Sequence, residues 1–505
     1  MDRRRHGEGP DLRRPRRRRG PAAARRRAPR RRPGPGPRRA RATRAGCPRH
    51  RRPAHGHWGH GGRRRSRRRA RAPRRHRAPR AGLRLLGHVP RLRRPRRAVR
   101  DRGAAAGRPV TAETVRRVES VDRPRSEHPL ATYHVLLGAT LLLLVLGIAM
   151  VLSASTVESY RVFGSAYTLW LRQVLFAVLG LVAMVVASRL PVRVWRRFAY
   201  PLLAVAIATL VLVLVVGHSV AGQRNWVELG GPFRFQPSEF AKLALVVWGA
   251  DLMARKQAVL HQWKHLLVPL MPVALLIVGL VVLEGDVGTA LILVPMVAAI
   301  LFVNGAPLRL FAVGAVGVVG GVALLSLGHS YRLGRFASWL DPEANALGSG
   351  WQVLHGKSAL GGGGWFGVGL GASREKWGWL PEAHTDFIYA VVGEELGIVG
   401  SLLVISLFAA IGIAGLRLAR RTSDPFIRTA SAAVVAWLLT QTLLNIGAVL
   451  QLIPITGVPL PLVSYGGSSL VPTLVALGML MSFARAEART VDLRPRRRTS
   501  TARGR

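Results

Sequence analysis

The chain has 505 residues, of which 49% are hydrophobic, and a formal charge of +52. Residues 1–109 hold 42 Arg, no Lys and 4 acidic residues, so the excess charge belongs to one N-terminal segment. A single cysteine, Cys47, excludes an intrachain disulfide and any Cys-based metal site.

The Arg/Pro/Gly/Ala-rich start, 1–129, has too few apolar residues to offset chain entropy and reads as a disordered cytoplasmic segment. Its Arg blocks suit phosphate contacts with nucleic acid or anionic lipid. No aromatic interleaving supports specific nucleic-acid recognition. The Lys-free Arg run also fits GC-rich upstream DNA read past a true start, with Val110 as a candidate start codon.

Beyond residue 130 the composition changes sharply. Ten apolar runs follow: 133–153, 173–187, 198–217, 240–254, 266–283, 287–303, 308–328, 387–416, 429–452 and 469–483. A bilayer core of ~30 Å needs ~20 apolar residues of helix, and unbroken Leu/Val/Ala without alternation predicts helices, not strands. The eighth run is too long for one straight span and is expected to begin as a tilted or re-entrant piece. The architecture expected is an all-α polytopic membrane domain, 130–484, with a basic cytoplasmic tail, 485–505. Arg and Lys gather in alternate short loops, for example Arg193, Arg196 and Arg197, then Arg417, Arg420, Arg421 and Arg428. That bias places both termini in the cytoplasm and leaves one large outside loop, about 329–385. Its five tryptophans, among them Trp339 and Trp379, suit the water–lipid interface.

Ionisable groups beside apolar spans are costly unless partnered, so they mark function. Four clusters stand out, all on the predicted outer side. The first is Gln236-Pro-Ser-Glu-Phe-Ala-Lys242, preceded by Arg224. Glu239 and Lys242, three apart, share a helix face either as a structural ion pair or as the polar floor of a cavity. The second is Glu284-Gly-Asp-Val-Gly-Thr289, where Asp286 is either a helix cap or a substrate or metal contact. In the third, Leu380-Pro-Glu-Ala-His-Thr-Asp-Phe387, His384 and Asp386 stand where the chain re-enters the membrane, with Glu394 and Glu395 shortly after. Partial burial of Asp386 would raise its basicity and suit it to general-base work; the alternative is a helix cap. The fourth, Gly457-Val-Pro-Leu-Pro-Leu-Val-Ser-Tyr-Gly-Gly-Ser-Ser469, cannot be plain helix. There Ser464, Tyr465 and Ser468 either bind a ligand or satisfy the broken backbone.

Gln236–Lys242, Leu380–Phe387, Glu394–Gly397 and Pro459–Ser469, in this order and spacing, resemble the signature blocks of the SEDS family (shape, elongation, division and sporulation). Residues 370–386 look more like its division members than its elongation members. The resemblance implies a ten-helix fold and an inverting peptidoglycan glycosyltransferase that uses lipid II as donor and acceptor at the division septum. It also implies a class B penicillin-binding protein as transpeptidase partner, alongside other division proteins. The family's essential aspartate falls on Asp386, and its cavity Glu and Lys fall on Glu239 and Lys242. Positive charge for the leaving diphosphate is expected from Lys242, Arg224, Lys357 or a divalent cation, Mg or Mn. One block departs: the family's usual Gln-Pro-Asp reads Glu284-Gly-Asp286 here, which puts any role of Glu284 in doubt. The alternatives are a lipid II flippase, the elongation paralogue with the same chemistry, and a non-catalytic scaffold.

Overall fold

The computed structural model describes residues 130–492, apart from 221–222, 229, 231–233, 260–262, 328–329 and 349. The readings of residues 1–129 and of the tail beyond 492 lie outside the described residues.

Each of the ten apolar runs is a helix. In chain order these are α1 (Ala131–Phe163), α2 (Thr168–Arg189), α3 (Val192–Val216), α4 (Pro237–Arg255), α5 (Trp263–Leu283), α6 (Val287–Val303) and α7 (Leu308–Leu327). The region expected as a loop contains two further helices, α8 (Ser330–Leu340) and α9 (Trp351–Gly362). Then come α10 (Ile388–Arg421), α11 (Pro425–Val449) and α12 (Gly467–Asp492). Seven of them are long and apolar enough to cross a membrane; α6 and α7 are shorter apolar helices, and α4 carries more charge. One feature had no sequence signal. The α3–α4 connection holds a small antiparallel sheet of β1 (His218–Val220), β2 (Gln223–Glu228) and β3 (Arg234–Phe235), ordered β1-β2-β3.

Local chemistry sets the helix ends. Pro237 and Pro425 occupy first-turn positions, where the missing N–H costs nothing. Asp286 and Asp424 cap α6 and α11 by accepting from Thr289 N and Phe426 N. The long helix α10 is broken inside by Gly397, at φ 68 and ψ −162. A side chain there would strike Gly367 N and Trp365 O, so only glycine lets the outer loop pack into the bend. The tilted entry expected for this run is the first piece of α10, in which Ile388 through Glu395 are all buried.

Burial separates core from lipid face. Nearly all of α4 is buried, and α11 and α12 are largely so. In contrast, α2 exposes Leu171, Leu175, Val178, Val182 and Val186, and α7 exposes Val313, Val316 and Val319. Such apolar surface would be a liability in water and is the lipid face of a membrane bundle. The fold is that of a polytopic membrane protein.

Candidate functional site

The beginnings of α4, α6, α10 and α12 and the ends of α5 and α11 meet at one end of the bundle, and the four polar clusters meet there with them.

At the start of α4, Lys242 is fully buried. Its Nζ lies 2.8 Å from Glu239 Oε2 and donates to Gln441 Oε1 at 3.0 Å. It also lies 4.9 Å from the centre of the Trp437 ring, whose Nε1 donates to the same Gln441 oxygen. Gln441 Nε2 in turn donates to Pro459 O at 2.9 Å, which fixes the broken segment before α12. The ammonium therefore has three kinds of partner, as a buried charge requires.

Asp286 does more than cap. Its second oxygen accepts from Gln236 Nε2 at 3.0 Å and Ser238 Oγ at 3.3 Å, joining the first two clusters. Glu284, in the turn between α5 and α6, is buried, and neither carboxyl oxygen has a hydrogen-bond partner. Burial, and then the nearby Asp286 charge, push its pKa up to about 9. It is a neutral acid at pH 7. Arg224 donates only its backbone N–H here, to Glu284 O at 3.1 Å, and its side chain is exposed.

Asp386 stands at the mouth of α10. The turn before it is tight: Thr385 N and Phe387 N both donate to Glu382 O, and Glu382 adopts φ 54. Thr385 Oγ1 lies 2.8 Å from Asp386 Oδ1. The backbone carbonyl of Asp386 accepts from Asn445 Nδ2 at 2.8 Å, and the same amide reaches Val458 O at 2.8 Å. Gln441 and Asn445 are four apart on α11, so one helix face holds Lys242 at one turn and Asp386 at the next.

Gly457, at φ 70, leaves a gap between two charges. A Cβ there would stand 3.7 Å from Arg335 Nη1 and 3.9 Å from Asp386 Oδ2. Burial raises the Asp386 pKa above the ordinary carboxylate value; Thr385 and the Arg335 guanidinium pull it back, and Glu382 pushes it further up. Arg335, on α8, also donates to Ile455 O at 3.2 Å and lines a cavity of about 450 Å³ with Trp351, Gln352 and Pro381. Lys357 sits exposed on α9 and does not line that cavity.

The third and fourth clusters are joined as well. Tyr465 N donates to His384 O at 2.9 Å, and the two rings lie 5.5 Å apart. Burial lowers the His384 pKa, which keeps the imidazole neutral at pH 7. Ser464 Oγ accepts from Leu460 N at 2.7 Å, so this hydroxyl satisfies the broken backbone. Ser468 Oγ is buried with no hydrogen-bond partner.

Beside the site, the two glutamates after Asp386 clamp the outer loop. Glu395 accepts from Gly371 N, Ser373 N and Lys376 Nζ and from Ser153 Oγ of α1. Glu394 accepts from Ser373 Oγ and Arg374 N. Gln441, Asn445, Arg335 and this clamp were missed as site residues. A signal existed for the first two: amides four apart inside an apolar span are as anomalous as a charge. Among the described residues no three His, Cys, Asp or Glu side chains gather closely enough to cage a metal ion.

Taken together, fold and site define a polytopic membrane protein with a buried polar centre at one end of its bundle. The family model described as "Cell cycle protein", covering FtsW, RodA and SpoVE, matches residues 133–489. The chain belongs to this family, known as SEDS. It is 41% identical over 377 residues to a protein of Mycobacterium tuberculosis named probable peptidoglycan glycosyltransferase FtsW, covering 73% of this chain and 72% of that one. It is 37% identical to stage V sporulation protein E of Bacillus subtilis, over 68% of this chain and 95% of that one. Among solved structures, one reported for the coordination of polymerization and crosslinking by a peptidoglycan synthase complex matches with TM-score 0.58 and 31% identity. That match covers 70% of this chain and 97% of the other. The rod shape determining protein RodA of Thermus thermophilus matches with TM-score 0.53 and 29% identity, over 70% and 96% of the two chains.

Proposed function

We propose that the chain is an inverting peptidoglycan glycosyltransferase that polymerises lipid II at the outer face of the cytoplasmic membrane during division. The observation that carries this reading is the Asp386 carboxylate, partly buried and facing Arg335 across Gly457, in a family whose relatives bear that activity in their names.

In this reading the lipid tail of the substrate stays in the bilayer and its head group enters at the polar end. Asp386 takes the proton from the 4-hydroxyl of the acceptor sugar. The freed oxygen bonds to the anomeric carbon of the donor from the opposite face, and the bond from that carbon to the diphosphate oxygen breaks. Its electron pair leaves with polyprenyl diphosphate. General-base help of this kind is worth ~10²–10⁴-fold. Arg335 is the cation beside Asp386 and is best placed to meet charge growing on the diphosphate. Lys242 is sealed between Glu239, Gln441 and Trp437, so it holds the floor of the site in place. Arg224 and Lys357 are exposed and have no described contact with Asp386.

A class B penicillin-binding protein is the partner we infer, since the similar solved structure belongs to a synthase complex. Purified full-length chain, with that partner, is given fluorescent lipid II in vesicles. Glycan strands of increasing length are expected. Movement of lipid II between leaflets with no polymer formed would replace the polymerase by the flippase.

A further inference from the structure

The opposite end of the bundle holds a second cavity, of about 460 Å³, that the polymerisation chemistry does not use. It lies between the last turns of α6 and α10 and the first turns of α11. Asp386 precedes α10 and Arg420 lies in its last turn, so the two sites are separated by roughly 50 Å of helix contour at 1.5 Å per residue.

Its walls are apolar, built by Phe302 and Val303 of α6, Leu416 of α10, and Val435 and Leu439 of α11. Two side chains at the rim are cationic: Arg420 and Arg428. Neither makes an ion pair among the described residues. The Nε of Arg428 is buried without a hydrogen-bond partner, which is costly unless something outside the chain accepts from it. Arg428 also stands in the first turn of α11, where the helix end is itself partly positive, so no local backbone charge compensates it. The nearest capping carboxylate, Asp424, is engaged with Phe426 N and does not line the cavity. An apolar slot with two unpaired guanidinium groups at its rim matches an amphiphile with an anionic head.

We propose that this cavity binds an anionic phospholipid, its phosphate held by Arg420 and Arg428 and one acyl chain lying along Phe302 and Leu439. Basic pockets between membrane helices recognise lipid head groups in this manner. A free phosphate would leave the apolar walls unused; a zwitterionic lipid would leave the second guanidinium unpaired. The Arg-rich end is the cytoplasmic one by the charge bias of the loops, which assigns the ligand to the inner leaflet.

Full-length protein is purified in mild detergent and titrated with phosphatidylglycerol or phosphatidylcholine, and retained lipid is read by native mass spectrometry. One phosphatidylglycerol is expected, in preference to phosphatidylcholine. Arg420→Gln and Arg428→Gln should each weaken retention roughly fivefold, as for the loss of one phosphate-facing charge. Ala436→Phe fills the cavity without changing charge and should abolish retention. Arg193→Gln, an exposed arginine at the same end but outside the cavity, should change nothing. Arg420 is exposed, so its substitution is informative even if the Arg428 variant fails to fold. Equal retention of both lipids, unchanged retention by the arginine variants, or displacement of the lipid by millimolar inorganic phosphate would each overturn the proposal.

Discussion

Helix α4 carries a buried charge cluster at each end, and the two are built differently. Near its end, Asp251 is fully buried yet doubly paired, with Arg196 Nε at 2.8 Å and Arg255 Nε at 2.5 Å. Both arginines keep contact with solvent, at 38% and 55% side-chain exposure, so the pairing is an anchor with its cations half in water. At its start, one fully buried lysine faces Glu239, with Asp286 and Glu284 close by. There one cation serves the cluster, and neither carboxyl oxygen of Glu284 has a hydrogen-bond partner. A cluster that only holds a fold satisfies its polar groups; one that leaves a buried carboxyl unpartnered has left work for something that arrives later.

Substitutions can break this contrast. Lys242→Met should be the most damaging to stability, by about 3 kcal/mol, the low end for stranding a buried partner, because Glu239 can take up a proton instead. A thermal melt in detergent checks it. The paired change Glu239→Leu with Lys242→Met should recover most of the stability without restoring polymerisation, which separates scaffold from function. At the other end, Asp251→Asn should cost less, about 1–2 kcal/mol, since its arginines regain water, and polymer yield per folded molecule should hold. Equal loss of activity from both ends would erase the distinction.

Arg335→Gln tests the cation beside Asp386. A lost hydrogen bond to a charged group, worth about 1.5–3 kcal/mol, predicts roughly a 10–100-fold drop in rate. It should also move the pH profile. The base works only when ionised, and burial has raised the Asp386 pKa, so the rate climbs as pH rises through that raised value and then levels. Removing the charge that holds the pKa down shifts the acid limb to higher pH. A slower enzyme with an unmoved limb would make Arg335 a structural contact only. Ser468→Ala, by contrast, should leave stability and rate nearly unchanged unless substrate itself is the partner of that buried hydroxyl; a selective rise in KM would reveal such a contact.

Much of this was legible in the sequence. Unbroken apolar runs gave all ten long helices, and the excess length of the α10 run announced its bend, although only the backbone shows that Gly397 makes it. The Asp286 cap was readable from its spacing to Thr289. The small sheet between α3 and α4 was not, because its strands are short and lack an apolar alternation. Nor was the joining of the clusters. Gln441 meets Lys242 across 199 positions, and Asn445 meets Asp386 across 59, contacts that no local pattern encodes. Arg335 looked like one more arginine in a loop until α8 carried it to Asp386.

The most direct test concerns the base. Asp386→Asn keeps the volume and the Asn445 contact to the backbone while removing the proton acceptor. Purified variant and wild type, matched for melting temperature and partner binding, are compared for glycan strand formation from lipid II across pH. The expected result is a ~10²–10⁴-fold loss with a flat residual pH profile. Strands formed at the wild-type rate, with the same rise on the acid side, would show that another group takes the proton.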